Sequence, residues 1–192
     1  DVLIALAPAM IMAVYVFGVR ALSVTAVSVL ACYLFEKLYC KMTGMQDKTY
    51  DLSACVTGVL LAFVCPVTIP YWTIVLGALF AIMLVKMLFG GLGRNIVNPA
   101  LAGRAFMFSW PVAMSTWVKV GISNAAPVFG GADIVTAATP LSFMHQGQMP
   151  NVTVAQAFFG NVGGCIGETS ALALLIGFCY LLLRKVDEPK KA

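Results

Sequence analysis

Of 192 residues, 61% are hydrophobic and only 10% charged, against about 25% charged in a soluble domain, so a soluble globular fold is excluded. The net charge of +4 comes from lysines and arginines scattered at the edges of apolar blocks, not gathered in one stripe, which excludes a nucleic-acid-binding surface. The blocks approach the roughly 20 residues that cross a hydrocarbon core. Strand-like alternation is missing, so the class is all-α: a polytopic membrane helical bundle of about six segments, some short or broken.

Residues 2–17 form the first apolar span, interrupted by Pro8, whose freed carbonyl a neighbouring helix can satisfy. Gly18 and Arg20 mark a tight turn, and residues 21–38 make a second span that runs into Glu36, Lys37 and Lys41. The third span, 52–65, opens on Asp51 and Ser53 and carries Thr57 and Gly58; it is polar at its start, which points to a broken helix, and Pro66 and Pro70 end it. Residues 71–89 supply a fourth span leading into Gly90-Gly91-Leu92-Gly93-Arg94-Asn95. A short fifth span, 98–110, has Pro99 in its first turn, where the missing N–H costs nothing, and Pro111 at its end. Residues 112–159 are a polar loop, 162–183 a sixth, strong span, and 184–192 a charged tail.

With six crossings, Lys37, Lys41, Lys48, Arg94, Arg184, Lys185, Lys190 and Lys191 fall on one side, and Arg20 and Lys119 on the other. The positive-inside bias then puts the first set in the cytoplasm and the loop 112–159 on the outer face. Lys86 and Arg104 lie within or near the membrane and do not vote. A re-entrant 98–110 segment would leave five crossings and send the tail outward.

Six cysteines occur without a C-x-x-C pair, mostly inside apolar runs, where they read as small buried hydrophobes. The glycine cluster beside Arg94 matches no nucleotide-loop pattern and no strand precedes it; close packing and a helix break are its plain reading. Asp51, Ser53 and Thr57 place polar atoms at helical spacing in or near a span, as a capping start or as ligands to a cofactor or cation. Glu168, seven residues into the last span, either snorkels to the interface or serves a structural or proton-linked role. His145, the single histidine, has no second ligand at metal spacing, and no metal site is expected. Trp110, Trp117 and Tyr71 read as an interfacial belt. No nucleophile–base set or paired carboxylates appear, so any chemistry must come from a bound cofactor that the protein positions.

The stretch Asp133-Ile134-Val135-Thr136-Ala137-Ala138-Thr139-Pro140-Leu141 lies in the longest segment without a membrane-length apolar run. Two threonines in a loop are ordinarily turn formers or caps. This segment, however, resembles the flavinylation motif of the RnfD/NqrB family, found in the D subunit of the Rnf ion-translocating oxidoreductase and the B subunit of the Na+-pumping NADH:quinone oxidoreductase. Ala137 stands where glycine is frequent, which narrows the backbone choices there. The blocks Gly90 to Arg104 and Asp51 to Gly58 extend the likeness along nearly the whole chain, and Pro140-Leu141 favours the Rnf member of the pair.

The resemblance implies FMN held by a phosphoester on Thr139, with Asp133, Thr136, Ala137, Ala138, Pro140 and Leu141 around it. It further implies that Gly91, Gly93, Arg94, Asn95, Arg104 and the helix start at Asn98, with its free N–H groups, help build a flavin site. Asp51, Ser53, Thr57 and Glu168 are left for an ion path or a second flavin. The implied fold is one repeat half of a urea-transporter-like bundle. The implied role is that of an electron carrier without stand-alone catalysis, in a translocase coupling ferredoxin and NAD+ to Na+ or H+ movement.

Its partners would be the G, A, E, C and B subunits of Rnf, a flavin transferase for maturation, and lipid. The location would be a bacterial or archaeal cytoplasmic membrane, with the flavin loop outside. No basic leader or cleavage site precedes Asp1, so a cleaved signal peptide is not expected, and the sequence reads as an N-terminal portion or a half encoded alone. The rival readings are half of a channel or solute transporter without redox role, and a structural subunit that has lost its cofactor.

Overall fold

The computed structural model describes residues 1–44, 51–91, 94–117, 140–147, 149, 152–160 and 162–184. Every regular element among them is helical: α1 Val2–Phe17, α2 Val19–Thr43, α3 Ser53–Phe63, α4 Tyr71–Leu79 continued by a π-helix Phe80–Met87, α5 Pro99–Met107, α6 Pro111–Met114, α7 Pro140–His145, α8 Val154–Phe159 and α9 Ala171–Leu183. Among the described helices, only α2 is long and apolar enough to cross a membrane by itself. α1, α3, the continuous run Tyr71–Met87 and α9 are apolar and shorter.

Along most of α1 small residues face inward and large apolar ones outward. α1 buries Ala5, Ala9 and Ala13 while Ile4, Ile11 and Tyr15 stay exposed, as in helices that associate by close backbone approach in a medium as apolar as their own side chains. Gly177 of α9 lies against the Ala5 carbonyl, where any Cβ would collide. α2 and α3 cross at Gly58: a Cβ there would sit 2.7 Å from the Val29 Cα, and Ser28 Oγ donates to the Gly58 carbonyl oxygen at 2.8 Å.

The helices run between two ends. At one, Asp1 accepts from the Arg184 guanidinium at 3.1 Å, joining the start of α1 to the end of α9, and the starts of α3 and α5 meet the end of the π-helix around one cavity. At the other, Arg20 at the start of α2 donates from Nε to the Val67 carbonyl oxygen at 2.9 Å, and Thr68 Oγ1 donates to the Thr116 carbonyl oxygen at 2.7 Å. Arg20, read from the sequence as part of a turn, is thus a buried tie between α2 and the α3–α4 connection.

The expected sixth span, 162–183, is helical only from Ala171. Its glycine-rich lead-in pairs instead with the end of α3: Ile166 N–H donates to the Cys65 carbonyl oxygen at 3.0 Å and Gly167 N–H to that of Phe63 at 2.9 Å. Cys165 Sγ donates to the Val64 carbonyl oxygen at 3.4 Å. The last carbonyls of a helix have no partner of their own, and irregular backbone inside a bundle persists only where such groups are satisfied. The second span extends to Thr43 rather than 38, and α6, α7 and α8 punctuate the expected polar loop.

The α2–α3 crossing gives a direct check. Gly58→Leu is expected to destabilise the protein by about 1–3 kcal/mol through overpacking, whereas Leu34→Ala on the exposed face of α2 should change it by less than about 0.5 kcal/mol. Unfolding of the two variants in detergent measures the difference.

Candidate functional site: a cavity beside a buried ion pair

The π-helix sets the geometry. A π-helix is wound more loosely than an α-helix, with i→i+5 hydrogen bonds, and such segments recur at functional sites. Beyond Met87 the helix closes in a Schellman-type cap, Gly90 N–H donating to the Met87 carbonyl oxygen at 3.1 Å and Gly91 N–H to that of Lys86 at 3.0 Å. Gly90 and Gly91 then end the helix at φ of 101° and 90°, the left-handed region that glycine adopts without strain.

In this register Lys86 points into the bundle and is 1% exposed. Its Nζ donates to Glu36 Oε2 of α2 at 2.6 Å and to Ser53 Oγ at the start of α3 at 2.7 Å. Glu36 is 3% exposed. Three separate elements therefore converge on one ammonium, and the sequence reading missed this. Glu36 beside Lys37 and Lys41 reads as the charged end of a span, and Lys86 is left within or near the membrane without a partner. The available signal was an isolated lysine in an apolar run, since such a charge needs a partner.

One wall of a cavity of about 530 Å³ is formed by Lys86 and Ser53, and Asp51, Thr57, Asn95 and Asn98 also line it. Two groups of residues singled out separately in the sequence thus share one space. Thr57 Oγ1 donates to the Ser53 carbonyl oxygen at 2.9 Å, fixing the first turn of α3. Asp51 does not cap α3: the N-cap is Leu52, at φ 53° and without a side-chain cap bond, so the Asp51 carboxylate is left on the cavity rim.

Asn98 is the N-cap of α5, its Oδ1 accepting from Ala100 N–H at 3.0 Å and Leu101 N–H at 3.5 Å. The helix-start N–H groups expected to be free for an anion are therefore occupied by Asn98 itself.

The other predicted residues separate from the cavity. Arg94 is exposed on the glycine turn with Gly91 beside it, and neither lines the cavity. Arg104 stands 3.7 Å from Glu168 and over the Phe108 ring at 5.7 Å; its partner Glu168 is 59% exposed at the side chain. This pair ties α5 to the lead-in of α9 and takes no part in the cavity. Asp133, Thr136, Ala137, Ala138, Thr139 and Gly93 lie outside the described residues. Pro140 opens α7 and Leu141 is exposed.

The arrangement has room for a small polar molecule. Its volume lies within the range of small-molecule sites, about 300–1,000 Å³, and the lining mixes an apolar side (Val56, Leu60, Ile96) with hydroxyl, amide and carboxylate groups. Such a mixture suits a flavin ring, whose edges both donate and accept hydrogen bonds. No cluster of three metal-ligating side chains exists among the described residues.

The sequence matches the NQR2, RnfD, RnfE family over residues 1–190. The chain belongs to this family. Among curated NQR2, RnfD, RnfE proteins it is 43% identical to the D subunit of the Na(+)-translocating ferredoxin:NAD(+) oxidoreductase complex of Acetobacterium woodii, over 97% of this chain and 57% of that one. It is 38% identical to the D subunit of the proton-translocating ferredoxin:NAD(+) oxidoreductase complex of Clostridium ljungdahlii, over 96% and 57%. With the B subunit of the Na(+)-translocating NADH-quinone reductase of Chromohalobacter salexigens it shares 42% identity over 68% of this chain and 31% of the relative. The chain thus spans a little over half the length of the two D subunits.

In this NQR2, RnfD, RnfE chain the buried pair is expected to behave as a unit. Lys86→Met or Glu36→Gln alone leaves one desolvated charge, or its polar partner, uncompensated and should cost about 3–5 kcal/mol, while an apolar replacement of both recovers most of that loss. Unfolding of Lys86→Met, of Glu36→Leu, for which the same loss is expected as for Glu36→Gln, and of the Lys86→Met/Glu36→Leu double variant forms the cycle; additive losses would show that the two side chains do not interact.

Proposed function

We propose that the chain is the flavin-carrying membrane part of an RnfD-type subunit. Electrons pass through FMN bound covalently, by a phosphoester, to Thr139, and the complex couples ferredoxin and NAD redox chemistry to Na+ or H+ translocation. The observation that carries this reading is the match along residues 1–190 to the family of translocating oxidoreductase subunits, in a sequence that holds Thr139 within Asp133-Ile134-Val135-Thr136-Ala137-Ala138-Thr139-Pro140-Leu141.

The bundle lies in the cytoplasmic membrane with six traverses, as one repeat half of a urea-transporter-like fold, and carries the loop with Thr139 on the outer face. Two features support the sidedness. Arg94 and Arg184, both counted as cytoplasmic by charge, stand at the cavity end, and the chain reaches Thr116 at the opposite end. The G, A, E, C and B subunits of Rnf are the partners, and a flavin transferase attaches the FMN.

The cavity is the second flavin site. When bound there, the flavin supplies one- and two-electron redox chemistry. The protein's share is positional: Ser53 and Thr57 set one edge, Asn95 and Asn98 another, and Asp51 the rim. The Lys86 charge is already balanced by Glu36, so the charge that the lining adds is the Asp51 carboxylate at the rim.

Attachment is tested by expressing the full-length protein with a flavin transferase and scanning denaturing gels for flavin fluorescence. A fluorescent band that is lost in Thr139→Ala, and kept in Thr136→Ala, is the expected outcome. A colourless wild-type band would favour a transporter half or a scaffold instead.

A further inference from the structure

We propose that the outward face of α5, with the Arg104–Glu168 pair at its centre, is the surface on which a further membrane helix of an RnfD-type subunit packs. The proposal rests on the reading of the chain as part of such a subunit, and it gives this face an occupant that the reading alone does not supply.

The pair stands at the depth of lipid tails. α2 is tied at Arg20 to the Val67 carbonyl oxygen at one end of the bundle and at Glu36 to Lys86 at the other. The helix between these ties covers roughly 24 Å, less than the thickness of a hydrocarbon core, about 30 Å. Arg104 lies on α5 between Asn98, which caps the helix at the cavity end, and Thr116, whose carbonyl oxygen accepts from Thr68 at the opposite end. Glu168 follows Gly167, whose N–H is bonded to the Phe63 carbonyl oxygen at the end of α3. Both charges therefore sit between the two ends.

At that depth the pair is neither sealed nor closed. The Glu168 side chain is 59% exposed, and 3.7 Å separates it from Arg104, longer than the about 2.7–2.9 Å of a charge-assisted hydrogen bond. The Lys86–Glu36 pair differs on both counts, with a 2.6 Å contact and side chains 2% and 4% exposed. Among the described residues the other exposed charged side chains, Asp1, Lys37, Lys41, Asp51, Arg94 and Arg184, all stand at the cavity end. An ionisable group inside a membrane faces protein or water rather than lipid.

The shape of the face selects between these. α5 buries Ala100, Gly103 and Met107 and leaves Leu101, Ala105 and Phe108 exposed on its other side, a stripe at helical spacing. The Arg104 guanidinium lies over the Phe108 ring at 5.7 Å, so the pair and the stripe form one surface. Ala105, between two bulky neighbours, is the small position at which another helix can approach closely. The outward faces of α2 and α9 present Leu30, Leu34, Leu174 and Phe178 instead, which suit lipid.

Length and chemistry set the occupant. The part of the two D subunits that this chain covers is 57% of each, so a subunit of that type has further polypeptide to place. A single segment entering hydrocarbon must satisfy its own backbone and is therefore a helix. To complete the pair it brings a hydrogen-bonding side chain, such as that of Ser, Asn or Gln, toward Arg104 and Glu168.

The test is photo-crosslinking in the complete complex, with benzoylphenylalanine in place of Phe108 and, in a second variant, of Leu101. The same group in place of Leu34 on α2 is the lipid-facing control. After illumination, mass spectrometry is expected to find positions 108 and 101 joined to peptides of the same subunit outside residues 1–192, and position 34 joined to lipid. Lipid adducts alone at 108 and 101, in a subunit that still carries fluorescent flavin, overturn the proposal and leave the RnfD-type reading standing. Crosslinks from both positions to a different subunit, or to a second copy of this chain, overturn the assigned occupant. A chain that does not copurify with Rnf subunits removes the RnfD-type reading and this proposal together.

Discussion

Two opposite charges sealed between helices α2, α3 and the π-helical end of α4 are the constraint on which the rest of the bundle depends. Removing an ammonium and a carboxylate from water is costly, and their attraction compensates only where geometry is close and remaining hydrogen-bonding capacity is met. Lys86 meets both conditions with Glu36 at 2.6 Å and Ser53 at 2.7 Å. These contacts fix the rotation of α2 about its axis, the height of the α3 start and the register of the segment Phe80–Met87. A helix that stayed α from Tyr71 onward would present Lys86 on another face, so the π register and the ion pair require one another.

Around this polar centre the protein is assembled by close backbone contact. Alanines on α1, Gly58 on α3 and Gly177 on α9 bring helices together where larger side chains would hold them apart, while Phe17, Leu61, Ile74, Ile82 and Met107 are fully buried between them. The same logic explains the broken lead-in to α9. Its amides go to the carbonyls that α3 cannot use, so two interrupted segments complete one another inside the bundle. The cavity opens at the end where the starts of α3 and α5 meet the end of the π-helix, which gathers side-chain polar groups from several elements around one space.

Much of the fold was legible because hydrophobic runs and prolines obey simple rules. The first span, read as 2–17, is the helix Val2–Phe17; Pro99 opens α5 with Asn98 as its cap; and the polar start of α3 marks the cavity wall. What escaped has identifiable causes. The π-helix changes the helical period without any local sequence sign, so the pairing of residues 36 and 86 could not be projected from spacing. Glu36 was disguised by its neighbour Lys37, which is exposed on the other side of the same turn. The glycines at 163, 164 and 167 lie within a hydrophobic run that reads as helix, yet the amides of Ile166 and Gly167 are drawn into bonds with the end of α3. The candidate site was half legible: Asp51, Ser53, Thr57, Asn95 and Asn98 converge, while Arg104 and Glu168 pair with each other away from the cavity and Arg94 stays exposed on the glycine turn.

The enclosure of Lys86 by Glu36 is tested most directly by amine acylation of the folded protein in detergent, read lysine by lysine in the mass spectrometer. Lys37 and Lys41 are exposed on α2 and should be modified rapidly, while Lys86 should resist until the protein is unfolded. Acylation of Lys86 in the folded state at the rate of Lys37 would contradict the buried pair and everything built on it.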